Sequence, residues 1–293
     1  MTETSLTKID IPPGGFVKLV DTMPRTTAEL PTLDSAVVQA ARISTGQGTK
    51  DPDKDRGLIR YLMRNKHTSP FEMIEFKFHL KMPIFVARQW MRHRMASINE
   101  YSARYAEVPD ECWLPNAYSI RTQSNVNKQS SDPMAECTKE TVQFVQDMES
   151  VYEKSYKAYK EAVESGLARE QARTVLPQAM YTEFYWKIDL HNLLNFLKLR
   201  MDKHAQKEIQ QFAEAIYKLI KPLVPDCCAA FEDYVLNAIT FSKQELIALR
   251  IALKPYTANN SFSFDLTSMG KTEAAELAAK LHKIGITSIK KDS

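Results

Sequence analysis

The chain has 293 residues, of which 44% are hydrophobic and 26% charged, and its formal net charge is +3. This length allows one large domain with a sizeable core, or a domain with an appendage. The charge is too small to indicate a nucleic-acid-binding surface by itself, and no apolar run approaches the length of a membrane span or follows a basic N-terminus. We therefore expect a cytoplasmic protein whose partners include neither a membrane nor a nucleic acid.

The N-terminal part of the chain predicts one strand, two helices and a helix start. In chain order these elements are a strand at 16–20, a helix at 36–43, a polar loop at 44–54 and a helix at 56–65. Ser69, followed by Pro70 and by Glu72, is similar to a capping box with proline in its first turn. We interpret Glu72 as the partner in this box rather than as a carboxylate of a binding site.

Residues 74–82 alternate between apolar and polar side chains, which predicts a strand with one buried face. Pro83 then opens a predicted helix that continues into the polar segment beyond it. Because residues three and four apart are neighbours on a helix, we expect Gln89, Arg92 and His93 to share one face.

The rest of the chain predicts a long loop, one more strand and several helices. The loop spans 107–134, the strand 183–190, and the helices 138–163, 169–176, 192–201, 205–220, 244–253 and 272–284. Asp202 is placed to cap the helix that begins at 205. These elements predict an α+β fold, a mixed α/β core with antiparallel strands and long helices. We divide the chain into a main domain at 1–240 and a helical C-terminal extension at 241–293.

Cysteine and glycine patterns exclude several kinds of site. The four cysteines, Cys112, Cys137, Cys227 and Cys228, have neither a Cys-x-x-Cys spacing nor histidine partners at the intervals of a zinc site. We therefore predict structural roles for them and no bound metal. The chain also lacks a Gly-x-Gly-x-x-Gly turn and a Walker loop, so a dinucleotide would be held by side chains and helix termini.

Residues 92–105 form the most informative segment, which reads Arg-His-Arg-Met-Ala-Ser-Ile-Asn-Glu-Tyr-Ser-Ala-Arg-Tyr. It contains three arginines and follows an apolar stretch at 83–87. The planar guanidinium group matches phosphate and carboxylate with paired hydrogen bonds. The segment therefore indicates a site for a phosphorylated ligand.

The spacing of this segment, Arg-His-Arg-x-x-Ser-x-Asn-Glu-x-Ser-x-Arg-Tyr, resembles the signature of the flavin-dependent thymidylate synthases, and every fixed position is present. The resemblance extends from about Ile9 to about Leu236. Two further segments support it: Glu170-x-x-Arg173-x-x-Leu176-Pro177, and the stretch from Asn195 through Arg200 to His204-Ala205-Gln206-x-Glu208.

The resemblance implies an enzyme that converts dUMP to dTMP by reductive methylation. It implies FAD as the cofactor and NADPH and methylene-tetrahydrofolate as co-substrates, with no nucleophile supplied by the protein. It also implies that 1–240 is the catalytic domain and that the protein is a homotetramer whose subunits share their active sites.

The family's site residues carry over to the matching positions of this chain. Arg200 is the implied catalytic residue, a fixed cation that stabilises negative charge on the uracil ring. The implied dUMP-binding residues are Gln89, Arg92, Glu100, Ser102, Arg104, Arg173 and Arg200. The implied FAD-binding residues are Ser69, Arg92, His93, Arg94, Asn99, Glu100, Asp189, His191 and Asn195. Secondary candidates are His67, Tyr105 and His204.

The chain departs from the family where Asp189-Leu190-His191 replaces a frequent Asn-x-Arg, so one expected FAD contact loses its arginine.

Two other function classes stay open on the residues alone. One is nucleic-acid binding by the 88–105 segment, with stacking by Trp90, Tyr101 and Tyr105. The other is a metal-dependent phosphohydrolase, whose candidate residues lack a recognisable metal spacing: Glu72, Glu100, Asp202 and His204.

Overall fold

The computed structural model describes residues 7–28, 32–43, 46, 52–125, 131–133, 136–257, 262–264, 269–284, 286 and 289–291. The chain forms two compact units. One consists of Met1–Thr49 with Thr68–Cys228, and the other of Lys50–His67 with Ala229–Ser293. The predicted C-terminal extension thus shares its unit with an earlier stretch of chain, and a domain boundary at residue 240 stays a prediction.

An antiparallel sheet organises the first unit. The described strands are β1 (Lys8–Ile11), β2 (Gly15–Met23), β3 (Glu75–Pro83), β4 (Ser97–Glu100), β5 (Arg121–Gln123), β6 (Ser131–Pro133), β7 (Tyr181–Asp189), β8 (Phe262–Phe264) and β9 (Ile289–Lys291). Five of them form one sheet in the order β1-β2-β3-β7-β4, with antiparallel neighbours throughout. β5 and β6 form a separate hairpin, and β8 and β9 form a short parallel pair in the second unit.

Helices make up most of the remaining described structure. They are α1 (Asp34–Ile43), α2 (Pro52–Arg64), α3 (Ile84–Trp90), α4 (Lys139–Glu164), α5 (Arg169–Ala172), α6 (Leu190–Arg200), α7 (Lys207–Ile220), α8 (Pro225–Phe231), α9 (Lys243–Thr257) and α10 (Lys271–Lys283). At the start of α4, Thr138 and Thr141 form a capping box in which each hydroxyl accepts the other's backbone N–H. Antiparallel strands combined with long helices confirm the predicted α+β fold.

The core of the first unit lies on one face of the sheet. Alternation in β3 and β7 turns their apolar side chains to this face, including the fully buried Trp186. Trp90 of α3 packs there against Trp186 and against Phe196 of α6, with ring centroids 5.0 and 4.3 Å apart. Burying a side chain such as Phe contributes about 1.5–3 kcal/mol. This packing fixes the ends of α3 and α6, which carry Gln89 and Arg200.

Ion pairs hold α10 against α2 in the second unit. Arg64 donates from Nε and Nη2 to the two carboxylate oxygens of Glu276, at 2.6 and 3.1 Å. Arg60 pairs with Glu273 at 3.5 Å. The ring of Tyr234 lies under both guanidinium groups, 4.9 Å from that of Arg60 and 5.6 Å from that of Arg64. The C-terminal extension is therefore anchored by guanidinium groups on an earlier helix.

The capping box predicted at Ser69 is wrong. A 3-10 turn of three residues, Phe71–Met73, takes its place, and no side chain caps its start. Phe71 and Ile74 are both buried, and their burial turns the chain into β3 after a single turn. Of the polar loop predicted at 44–54, residues 44–45 and 47–51 lie outside the described residues, and α2 already begins at Pro52.

The helix predicted to enter the signature segment ends at Trp90. Tight turns follow, in which the N–H groups of Arg92 and His93 donate to the carbonyls of Gln89 and Trp90. The chain then forms β4 at the edge of the sheet. Gln89, Arg92 and His93 therefore do not share one helical face.

The segment predicted as a loop at 107–134 is largely irregular, but it contains the β5–β6 hairpin. Cys112 forms an isolated bridge with Met180 beside β7. Residues 126–130 and 134 of this segment lie outside the described residues. The four cysteines are free, and Cys227 and Cys228 are buried.

Candidate active site

Arg200 ends α6 and is held by two acceptors near the end of α3. Its Nε donates to Nε2 of His93 at 3.0 Å, and its Nη2 donates to the backbone carbonyl of Gln89 at 3.4 Å. The His93 ring packs edge-to-face on Phe196, with 4.8 Å between centroids. The aromatic core therefore orients the guanidinium group through the imidazole.

Burial shifts the pKa of both members of this pair. It lowers the pKa of Arg200, and together with the adjacent Arg200 charge it lowers the pKa of His93 to about 4. His93 is therefore neutral at pH 7, with its proton on Nδ1 and its Nε2 lone pair accepting from Arg200. No carboxylate among the described residues pairs with Arg200. A fixed cation without a counter-charge stabilises negative charge that develops on a bound ligand.

A cavity of about 580 Å³ opens beside Arg200. One part of its wall is polar and comes from the predicted site and its neighbours: Gln89, Arg200, His204, Gln206 and Glu208. Another part is largely apolar and comes from the long loop and α4: Trp113, Pro115, Ile120 and Phe144. Arg121, Gln123 and Ser131 of the β5–β6 hairpin also line it. Its volume falls within the range of small-ligand clefts, about 300–1,000 Å³.

The turn between α6 and α7 brings His204 to this cavity. Asp202 accepts hydrogen bonds from the backbone N–H and from Nδ1 of His204, at 2.8 and 2.9 Å. Asp202 thus shapes the turn and does not cap α7, which begins after Gln206. Arg200 and His204 line one cavity although α6 ends between them.

Two glutamines, Gln206 and Gln210, were not among the predicted site residues. Gln206 lines the cavity, and its side-chain carbonyl accepts a hydrogen bond from the amide of Gln89. Gln210, buried on α7, donates to the carbonyls of Asp202 and Ala205, each at 2.8 Å. The available signal was a polar residue on the otherwise apolar face of α7, because a buried amide requires hydrogen-bond partners.

The signature residues of β4 lie at the open edge of the sheet. The four residues Ser97–Glu100 are exposed and pair only with β7 among the described strands. Glu100 Oε1 accepts a hydrogen bond from Thr182 Oγ1 at 2.7 Å. Asn99 lies opposite Tyr185 in the register. These polar side chains are therefore accessible to a ligand.

The implied dUMP-binding residues also include two other arginines, Arg104 and Arg173, and the hydroxyl of Ser102. Arg104 forms an ion pair with Glu170 of α5 at 3.1 Å, and its backbone N–H donates to Ser102 Oγ at 3.3 Å. Arg173, at the end of α5, is exposed. Considering only residues that the structure describes, no hydrogen bond or ion pair joins this group to Arg200 or Gln89. Like Arg173, two arginines of the signature are exposed and have no ion-pair partner in the described structure: Arg92 and Arg94.

The remaining FAD candidates lie near the start of α6 and before β3. Asp189 caps α6 by accepting from the backbone N–H and side-chain amide of Asn192, at 2.9 and 2.7 Å. His191 and Asn195 contact each other at 3.2 Å, one turn apart. Ser69 is exposed beside the 3-10 turn. His67 belongs to the second unit, where its ring packs edge-to-face on Tyr61.

Two observations bear on the other function classes. Trp90 is fully buried and so offers no stacking surface to a nucleic acid, although Tyr105 is 79% exposed. In the described part of the chain, no three His, Cys, Asp or Glu side chains come together as a metal site.

Every described helix is too short or too polar to cross a bilayer.

Residues 19–226 match the family model described as "Thymidylate synthase complementing protein". A flavin-dependent thymidylate synthase from Dictyostelium discoideum is 50% identical over 245 residues, which cover 84% of this chain and 80% of that protein. Another from Thermus thermophilus is 49% identical over 249 residues, covering 85% of this chain and 87% of that protein.

One solved structure is also similar to this chain in fold and sequence. The UMP/dUMP methylase PolB from Streptomyces cacaoi, bound with 5-Br dUMP, superposes with a TM-score of 0.67 at 35% sequence identity. The match covers 76% of this chain and 96% of that protein. The similarity therefore includes nearly the whole of the solved protein.

Proposed function

The chain belongs to the thymidylate synthase complementing protein family, and from this we propose that it is a flavin-dependent thymidylate synthase. The proposed reaction is the reductive methylation of dUMP to dTMP, with NADPH and methylene-tetrahydrofolate as co-substrates. The observation that carries the proposal is Arg200, a cation oriented by neutral acceptors beside a ligand-sized cavity. A uracil ring that accepts hydride gains negative charge, and a fixed guanidinium group beside the ring stabilises that charge.

The dUMP phosphate requires a different set of side chains. We assign this role to Arg104 and Arg173, supported by Arg92 and by the hydroxyl of Ser102. Arg92 and Arg173 are exposed and, in the described structure, form no ion pair, so a phosphate meets no competing carboxylate at either. At Arg104 the phosphate would replace or join Glu170. Paired guanidinium–phosphate hydrogen bonds would hold the nucleotide in one register.

The residues assigned to FAD match its chemistry. Its diphosphate requires cations, and Arg92 and Arg94 are exposed guanidinium groups in the turn after α3. Its hydroxyl and ring groups require donors and acceptors, which Asn99, Asn195 and His191 provide. When bound, FAD supplies the hydride. The protein's residues bind and orient the nucleotide and the flavin.

Two of the four cysteines, Cys112 and Cys227, are unsuited to act as a nucleophile. Burial raises the pKa of the Cys112 thiol to about 11 and raises that of Cys227 well above its ordinary value. Since the thiolate is the nucleophilic form, both are inert at neutral pH. Ser102 Oγ accepts a hydrogen bond from a backbone N–H, which suits a phosphate-binding hydroxyl better than an activated nucleophile.

A shared site is the last part of the proposal. The polar residues of β4 are exposed, and large apolar or aromatic side chains nearby are also exposed: Met95, Tyr101, Tyr105 and Tyr185. Contact with another subunit would cover these groups and enclose the bound ligands. We therefore propose the homotetramer with shared active sites, and a cytoplasmic location stays a prediction.

Two measurements test the proposed function. The purified protein should be yellow, and its flavin absorbance should bleach anaerobically when NADPH is added. With methylene-tetrahydrofolate present, the protein should release tritium from dUMP labelled at the 5-position. A colourless folded protein, or one that bleaches but releases no tritium, would contradict the proposal.

A further inference from the structure

Gln89 and Gln206 form a side-chain pair in the wall of the cavity. The Gln89 amide nitrogen donates to the side-chain carbonyl of Gln206, and both residues line the cavity with Arg200. The backbone of Gln89 is held as well, because its carbonyl accepts from Arg200. The Gln89 amide therefore meets the cavity in a defined orientation.

Gln206 is itself fixed by the start of α7. It is the residue before the helix, and its backbone carbonyl accepts the N–H of Gln210 at 3.1 Å. The buried Gln210 side chain then ties the preceding turn together through the carbonyls of Asp202 and Ala205. Gln206 thus extends from a turn that Gln210 stabilises, and its side chain accepts the hydrogen bond of Gln89.

The orientation of a glutamine amide determines which base edge it matches. A rotation of 180° about the last side-chain bond exchanges the carbonyl acceptor and the amide donor. Uracil presents an N3–H donor beside the O4 acceptor, whereas cytosine presents an N3 acceptor beside an amino donor. An amide that rotates freely matches either base, and an amide held in one orientation matches one of them.

We propose that Gln206 is a positioning residue that fixes the amide of Gln89 and thereby makes the site select the uracil edge over the cytosine edge. This inference rests on the proposed function and on the contact between Gln89 and dUMP that the family resemblance implies. Gln206 acts through Gln89 and not on the reacting atoms. Its role is separable from that of Arg200, which contacts Gln89 through the backbone carbonyl and not through the side chain.

The test compares two substitutions at one position. Gln206→Met removes the acceptor at similar side-chain length, whereas Gln206→Glu keeps an acceptor for the Gln89 amide. For Gln206→Met we expect the KM for dUMP to rise about tenfold, the loss of one oriented hydrogen bond, while kcat changes less. Competition by dCMP against dUMP should strengthen by a similar factor. Gln206→Glu should leave the competition by dCMP within about threefold of the unmodified protein, because an acceptor for the Gln89 amide is retained.

A double-mutant cycle separates positioning from direct contact. In a Gln89→Met background, adding Gln206→Met should have little further effect, because the amide to be positioned is gone. Gln143→Met is the matched control, since Gln143 lies exposed on α4 and its amide also donates to a side chain, that of Asp147. FAD content and anaerobic bleaching by NADPH report whether each variant is folded.

The outcomes distinguish this inference from the proposed function. If the unmodified protein turns over dUMP and Gln206→Met changes neither the KM nor the dCMP competition, the positioning role is overturned. The same conclusion follows if Gln206→Glu behaves like Gln206→Met, or if the two methionine substitutions add fully. A folded unmodified protein that neither binds nor turns over dUMP overturns the proposed function, and this inference with it.

Discussion

Arg200 and His93 form a hydrogen bond in which the cation donates and the imidazole accepts, with 3.0 Å between Nε and Nε2. This direction is possible only while the imidazole is neutral, and the depressed pKa of His93, about 4, ensures it. The pair therefore combines a permanent charge with a neutral support. An acidic partner would have oriented the guanidinium group equally well but would have cancelled its field.

Removing the guanidinium group should greatly slow turnover and leave the flavin bound. For Arg200→Ala we expect kcat to fall on the order of 10²–10³-fold, as for other fixed electrostatic groups, because the charge on the ring is then unopposed. FAD absorbance should be retained. The measurement is tritium release under saturating dUMP, with Arg25→Ala as the control, since Arg25 is exposed and pairs with Asp21. Normal turnover in Arg200→Ala would remove the role assigned to this residue.

The His93 pair predicts a pH dependence of stability. The folded-state pKa of His93, about 4, lies below its ordinary value of 6.5, so the unfolded chain binds more protons between these values. The contribution to the free energy of unfolding is complete above pH 6.5 and is lost as pH falls towards 4. Urea unfolding at pH 7 and pH 4.5 should show a larger decrease for the unmodified protein than for His93→Gln. Equal decreases in the two proteins would argue against a neutral buried imidazole.

The guanidinium network of the second unit predicts a stability effect without a catalytic one. Arg64→Met should lower the free energy of unfolding by about 1–2 kcal/mol, less than for a fully buried pair, because Glu276 is 30% exposed. Thermal or urea unfolding gives the comparison. Lys157→Met, which breaks an exposed pair with Glu161, should change stability by less than about 0.5 kcal/mol. If the two substitutions had equal effects, the network would not anchor α10.

A buried carboxylate makes a further prediction. Asp34 accepts the backbone N–H groups of Asp226 and Cys227, at 3.1 and 2.9 Å, at the start of α8. Asp34→Ala leaves both donors without this acceptor, the buried N–H of Cys227 among them, and should cost about 1–3 kcal/mol of unfolding free energy. Asp10→Ala is the control, because Asp10 is exposed and pairs with the exposed Lys8. Comparable midpoints of denaturation for the two variants would contradict the capping role.

The sequence predicted best those elements whose side chains divide between core and solvent. β3 and β7 carry a strict alternation because one face of each is buried, and the periodic apolar face of α7 identified it as a helix. β4 escaped prediction because it buries nothing, so no apolar pattern exists to reveal it. The capping box at Ser69 failed because burial of Phe71 and Ile74 outweighed a local preference.

The candidate site likewise contains residues that were predicted from the sequence and residues that were not. The family resemblance implied Arg200, His93 and Gln89, and the structure joins these three. Gln206 and Gln210 act through contacts between residues distant in sequence or through a buried turn, and no spacing rule connects Gln206 to Gln89 117 positions earlier. Sequence patterns report chemistry within a segment, whereas pairing between segments depends on how the core packs.

The position of β4 has a consequence for its dynamics. It packs no side chain into the core, so hydrogen bonds to β7 and the Glu100–Thr182 contact provide its support. Segments with so little burial open at low free-energy cost, and their amide protons exchange with solvent faster than those of a central strand such as β3. The signature residues of β4 are thus held mainly by hydrogen bonds at the sheet edge, and a nucleotide bound to them would slow deuterium uptake in this strand.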